Sequence, residues 1–147
     1  MTATAHALVG AAIAAASKNP YLGVLFASAS HPILDMIPHW DSASGWREKS
    51  KLKFFIEATL DLSLGLVLAY LFYGSKVEFF YLMLCILAAI GWDLMEIPYW
   101  FWKWHFPPFS WSHNLQSKLQ GQAKLPWGIV TQIIVVGSIM WILSLVD

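Results

Sequence analysis

The ionisable residues that lie within apolar stretches of this chain gather at matching ends of those stretches. Apolar segments run over 2–17, 21–37, 54–73, 77–102 and 127–146. His6 opens the first, and His31 and Asp35 close the second. Glu57 and Asp61 open the third, while Asp93 and Glu96 fall in the later half of the fourth. Segments that cross a membrane in alternating directions carry all of these groups to one face. Charge at membrane depth costs several kcal/mol, roughly 3 or more, and persists only beside a partner, an ion or a water-filled pocket. Convergence at one level therefore reads as a built site.

Composition supports the membrane setting. Only 12% of the 147 residues are charged and 58% are hydrophobic, whereas a soluble domain carries about 25% charged residues. The expected fold is all-α: a polytopic membrane helical bundle of about five helices, forming one integral membrane domain over 1–147. A spanning helix needs about 20 apolar residues. The last three segments meet that length, while the first two are marginal and fit a tilted or interior position. The first segment lacks the positive flank of a signal peptide, since no Lys or Arg precedes Lys18, and it is read as a retained helix. Formal net charge is zero with no basic run, which argues against a nucleic-acid partner. Cys85 is the single cysteine, so no disulfide framework exists, and its apolar surroundings make it a small core residue.

Two long connections, 39–53 and 103–126, lie on the ionisable side of the alternating topology. That side holds Arg47, Lys49, Lys51, Lys53, Lys103, Lys118 and Lys124, against Lys18 and Lys76 on the other. The bias places the ionisable face and the N-terminus in the cytoplasm. Trp40, Trp46, Trp100, Trp102, Trp104, Trp111 and Trp127 cluster at the same boundary, as interfacial anchors do.

The polar residues themselves suggest metal chemistry. His31 and Asp35 stand four apart on one helix face, and His39 and Asp41 follow just past the helix end. Imidazole nitrogen and carboxylate oxygen are the ligands of zinc and similar divalent ions. Pro32 adjoins His31 and frees a carbonyl one turn earlier, bending the backbone at the proposed ligand. Glu57 and Asp61 repeat the four-residue spacing, and two carboxylates on one face repel unless protonated or bridged by a cation. A Glu57 to Lys53 surface pair accounts for Glu57 but leaves Asp61 unexplained. Asp93, deep in an apolar run with no lysine at its level, most needs a histidine, a metal or a shared proton. His113, in the long second connection, can fold back over the site, whereas His105 reads as a surface residue.

At these positions the chain resembles the LexA-binding, inner-membrane-associated metal-dependent hydrolases. The match rests on His6 with Gly10, the run from His31 through Asp35 to His39 and Asp41, and Ser112-His113-Asn114. A more distant similarity is to zinc-dependent phospholipase C, an all-helical protein with His and Asp/Glu ligands. The resemblance implies an integral protein of a bacterial or archaeal cytoplasmic membrane.

Combined with the candidate ligands His6, His31, Asp35, His39, Asp61, Asp93 and His113, it implies one or two divalent ions, zinc first and manganese second. Water activated by the metal would attack a phosphoester or other ester, with Glu57 or Glu96 as general base. A site at the cytoplasmic interface suits a lipid headgroup or lipid-linked phosphate, making membrane lipid the expected partner. The alternatives are a non-catalytic metal-binding membrane protein and a proton or cation transporter. Transport through so short a chain would require an oligomer. The sequence has no His-Glu-x-x-His, Gly-x-Ser-x-Gly or phosphate-binding glycine loop, which argues against those three chemistries.

Overall fold

The computed structural model describes residues 1–41 and 49–146. Trp46 and Arg47, counted above among the interfacial and cytoplasmic residues, lie outside them. Six α-helices follow in order: α1 Ala3–Ala16, α2 Pro20–Asp35, α3 Lys51–Tyr73, α4 Phe79–Phe101, α5 Phe109–Leu119 and α6 Trp127–Ser144. The first three starts are capped by side chains that the sequence supplies. Thr2 accepts from Ala5 N, Asn19 from Tyr21 N and Leu22 N ahead of Pro20, and Ser50 from Lys53 N.

The architecture is all-helical, with six helices among the described residues rather than the five expected. The extra one is α5, inside the connection 103–126. Its buried residues are Ser112 and Gln116, so no apolar periodicity marked it. It packs instead by hydrogen bonding: Gln116 Nε2 donates to Trp92 O at 3.0 Å.

The centre of the molecule is α1, packed against α2, α3, α4 and α6. Its alanines let these neighbours approach closely. A Cβ added at Gly10 would stand 2.7 Å from Ala89 Cβ, and one at Gly65 would stand 2.8 Å from Thr4 Cα. Both glycines are therefore required by near contact of backbones, α1 with α4 and α3 with α1. The larger residues of this core are Leu82, Cys85 and Ile86 from α4 and Tyr73 from the end of α3.

Three helices, α3, α4 and α6, are long and apolar enough to cross a membrane. Their outward faces are also apolar: Leu60, Leu64 and Leu71 on α3, Phe80 and Leu87 on α4, and Ile133 and Trp141 on α6 are all exposed. Large apolar side chains point outward and small ones inward, the arrangement expected where lipid is the solvent. At about 1.5 Å per residue, α1 and α2 reach only about 21 and 24 Å, short of a hydrocarbon core of about 30 Å.

Candidate metal centre

The start of α1, the end of α2 and the later half of α4 meet. There His6, His31 and Asp93 each offer a ligand atom, all within 4.8 Å of one another. Both histidines are fully buried, and their rings stack with centroids 3.8 Å apart and planes 14° apart.

His31 is held by Nδ1, which lies 2.7 Å from Ala89 O. A carbonyl only accepts, so Nδ1 carries the hydrogen. Its Nε2 then faces three oxygens: Asp35 Oδ2 at 3.2 Å, Asp93 Oδ1 at 3.5 Å and Gln116 Oε1 at 3.3 Å. The Gln116 amide cannot be turned the other way without cost, because its Nε2 donates to Trp92 O and Ser112 Oγ, each at 3.0 Å. Three acceptors around one imidazole nitrogen call for a proton or a cation. Ligating histidines characteristically donate their other ring N–H to a carbonyl, as His31 does. His6 adds a further sign. Its Nε2 sits 3.1 Å from Asp35 Oδ1, while its Nδ1 is buried without a hydrogen-bond partner among the described residues. Donor set, tautomer and orphaned nitrogen all fit a divalent ion.

Proline shapes the approach of α2. The ring of Pro32 withholds the N–H that Ser28 O would accept, and Trp92 Nε1 supplies it from α4 at 3.1 Å. The helix runs on through Pro32 to Asp35, so His31 and Asp35 stay in register on one face. Asp35 is 5% exposed and also meets the α-amino group of Met1. Its backbone carbonyl accepts from Gly121 N at 2.7 Å, which docks the end of α2 on the chain leaving α5.

His39 repeats the pattern seen at His31. Nδ1 donates to Ile37 O at 2.8 Å, and Nε2 lies 3.2 Å from Asp41 Oδ2 and 4.0 Å from Asp35 Oδ1. Asp41 in turn accepts from Gln120 Nε2 at 2.7 Å. His39 thus flanks the group through Asp35.

The remaining candidates engage other partners. Asp61 accepts from Ala3 N at 2.7 Å, Thr4 N at 3.2 Å and Thr4 Oγ1 at 2.7 Å. It binds the first turn of α1, where orphan N–H groups attract a carboxylate. Glu57 pairs with Lys49 at 2.6 Å and Lys53 at 4.0 Å. Glu96 lies 3.1 Å from His113 Nδ1 and accepts from Trp100 Nε1 at 3.0 Å. The His113 ring stacks on Tyr99 at 4.0 Å, and His105 meets the same Tyr99 edge-on at 4.6 Å, so it belongs to this aromatic cluster.

Two glutamines escaped the sequence reading. Gln116 orients His31, and Gln132 on α6 accepts from Thr2 N at 2.9 Å while donating to Trp40 O at 2.6 Å. Gln132 was visible as a rare amide in an apolar helix. Gln116, four residues after Ser112 on a polar helix, gave no comparable signal.

The group is sealed on one side and open on the other. His6 and His31 are inaccessible, whereas the Asp93 side chain is 46% exposed. A scan against protein-family models, a search of curated proteins and a search of solved structures each return no match.

Proposed function

We propose that this protein is a membrane-embedded metal-dependent hydrolase acting on a phosphoester or other ester at the cytoplasmic interface. The observation that carries the metal is the His6–His31–Asp93 group with the His31 tautomer fixed by Ala89 O. The reaction class comes from the resemblance to the LexA-binding, inner-membrane-associated hydrolases. His6, His31 and Asp93 would hold the ion, with Asp35 beside both imidazoles. A divalent ion in such a set, zinc or manganese, supplies Lewis acidity toward an ester oxygen and lowers the pKa of water.

This chain's own residues then do the rest. Ala89 O and Gln116 fix the His31 ring, and Asp35 fixes the His6 ring. The exposed edge at Asp93 leaves room for a substrate, which favours a catalytic site over a closed structural one. Glu96, three residues beyond Asp93 and coupled to His113, is better suited to carry a proton than Glu57, whose carboxylate is matched by lysines. Transport is the weaker reading because the core beyond the site, Ala7, Ala11, Leu82 and Ile86, is apolar and gives a charge no onward path.

The test is hydrolysis of a phosphodiester lipid by protein purified in detergent. Chelation should abolish turnover, zinc or manganese should restore it, and a folded Asp93→Asn variant should stay inactive throughout. Turnover indifferent to both chelation and Asp93→Asn would sink the proposal.

A further inference from the structure

Beside the metal centre, α2, α4 and α5 leave a groove of about 400 Å³ between them, lined by Ser28, Gly91, Trp92, Met95, Trp111 and Leu115 among others. Small-molecule sites span roughly 300–1,000 Å³, so the groove has the capacity of a ligand site. We infer that it receives one acyl chain of a membrane glycerophospholipid, so that the headgroup lies at Asp93. This rests on the reading of the protein as a membrane-embedded ester hydrolase and names the substrate class of that site.

Three features select the occupant. The walls are mostly apolar and aromatic, with Met95, Trp111 and Leu115 exposed along them; α4, which supplies much of the lining, is long and apolar enough to cross a membrane. A groove in that position opens where lipid chains already are. Second, the groove and the metal centre share a wall. Trp92 and Ser112 line the groove, and Gln116 binds Trp92 O and Ser112 Oγ with its amide nitrogen while its amide oxygen faces His31. Third, room is kept open at Gly91, where an added Cβ would meet nothing within 4 Å. Glycine inside a helix costs about 1 kcal/mol relative to alanine, and here no neighbouring backbone demands it. The groove is thus open where its wall passes Gly91.

The same glycine provides the test, because a Cβ there meets nothing within 4 Å and Gly91→Trp sets a bulky side chain on the groove wall. The full chain is reconstituted in phosphatidylethanolamine–phosphatidylglycerol vesicles carrying a trace of phosphatidylethanolamine with a diazirine in one acyl chain. After illumination, labelled peptides are mapped. Wild type should be labelled at 88–95 and 108–115 well above the exposed outer face of α6. In Gly91→Trp that labelling should fall to the level of α6 with metal content unchanged, while Gly91→Ala labels as wild type does. Even labelling of every exposed apolar face, or persistence of the α4 and α5 label in Gly91→Trp, overturns the inference. Binding is read without turnover, so the two readings fail separately. Groove labelling without lipid hydrolysis would sink the enzyme and keep the groove. Hydrolysis of a water-soluble phosphodiester without groove labelling would do the reverse.

Discussion

His31 and Asp61, both ligand candidates in the sequence, differ in role because of what faces each side chain. The His31 ring has a single carbonyl on one nitrogen and three oxygens on the other, an environment that suits a bound cation or a proton. Asp61, read from sequence as a ligand candidate, spends both oxygens on the first turn of α1. We therefore expect Asp61→Ala to lower thermal stability in detergent by about 2 kcal/mol, the scale of a lost charged cap. Asp61→Asn, which keeps an acceptor, should retain metal, as elemental analysis would reveal; metal lost at unchanged melting temperature would make Asp61 a ligand after all. The common depth of His6, His31, Asp35 and Asp93 was legible because apolar segments act as rulers. The partner of Asp61 was not, because its donors are backbone N–H groups of another helix and leave no trace in side-chain spacing.

Among the elements, α1 sets the geometry because its small residues let α4 come close enough for Ala89 to serve two purposes. Its Cβ abuts Gly10, and its carbonyl holds His31. Gly10→Ala should then push α4 away and weaken metal affinity about tenfold, the low end for losing a supporting contact to a ligand. Overpacking there should also cost about 1–3 kcal/mol of stability. The double variant Gly10→Ala with Ala89→Gly should recover most of both in a metal titration and a melting curve. Failure of the rescue would mean that the Gly10–Ala89 approach does not position the ligand. The three apolar helices that bring the site together, α1, α2 and α4, were readable from hydropathy. Helix α5 was not, since it buries Ser112 and Gln116 and exposes Trp111, the inverse of the pattern that marks a soluble amphipathic helix. The helix continues past Pro32 to Asp35, and Trp92 Nε1 takes up the carbonyl that Pro32 leaves free.

Among the described residues, the buried histidines His6, His31 and His39 and the aspartates Asp35 and Asp41 gather at one end, and large apolar side chains cover the outer surface. The proposed orientation follows from the excess of Lys and Arg on the polar side. Cys85 is fully buried, so an engineered surface cysteine reports alone. In intact cells a membrane-impermeant maleimide should label Lys76→Cys and spare Lys118→Cys until the membrane is opened. The opposite pattern would invert the topology and move the site to the outer face.

The central claim is the ion itself, and elemental analysis of the detergent-purified protein tests it most directly. Folded wild type should hold about one equivalent of zinc or manganese in the His6–His31–Asp93 group, the least a two-imidazole, one-carboxylate site takes. Both His31→Gln and Asp93→Asn should lose it while remaining inserted and helical. Full occupancy in those two variants, or a folded wild type that takes up no divalent ion when one is added, would contradict the account.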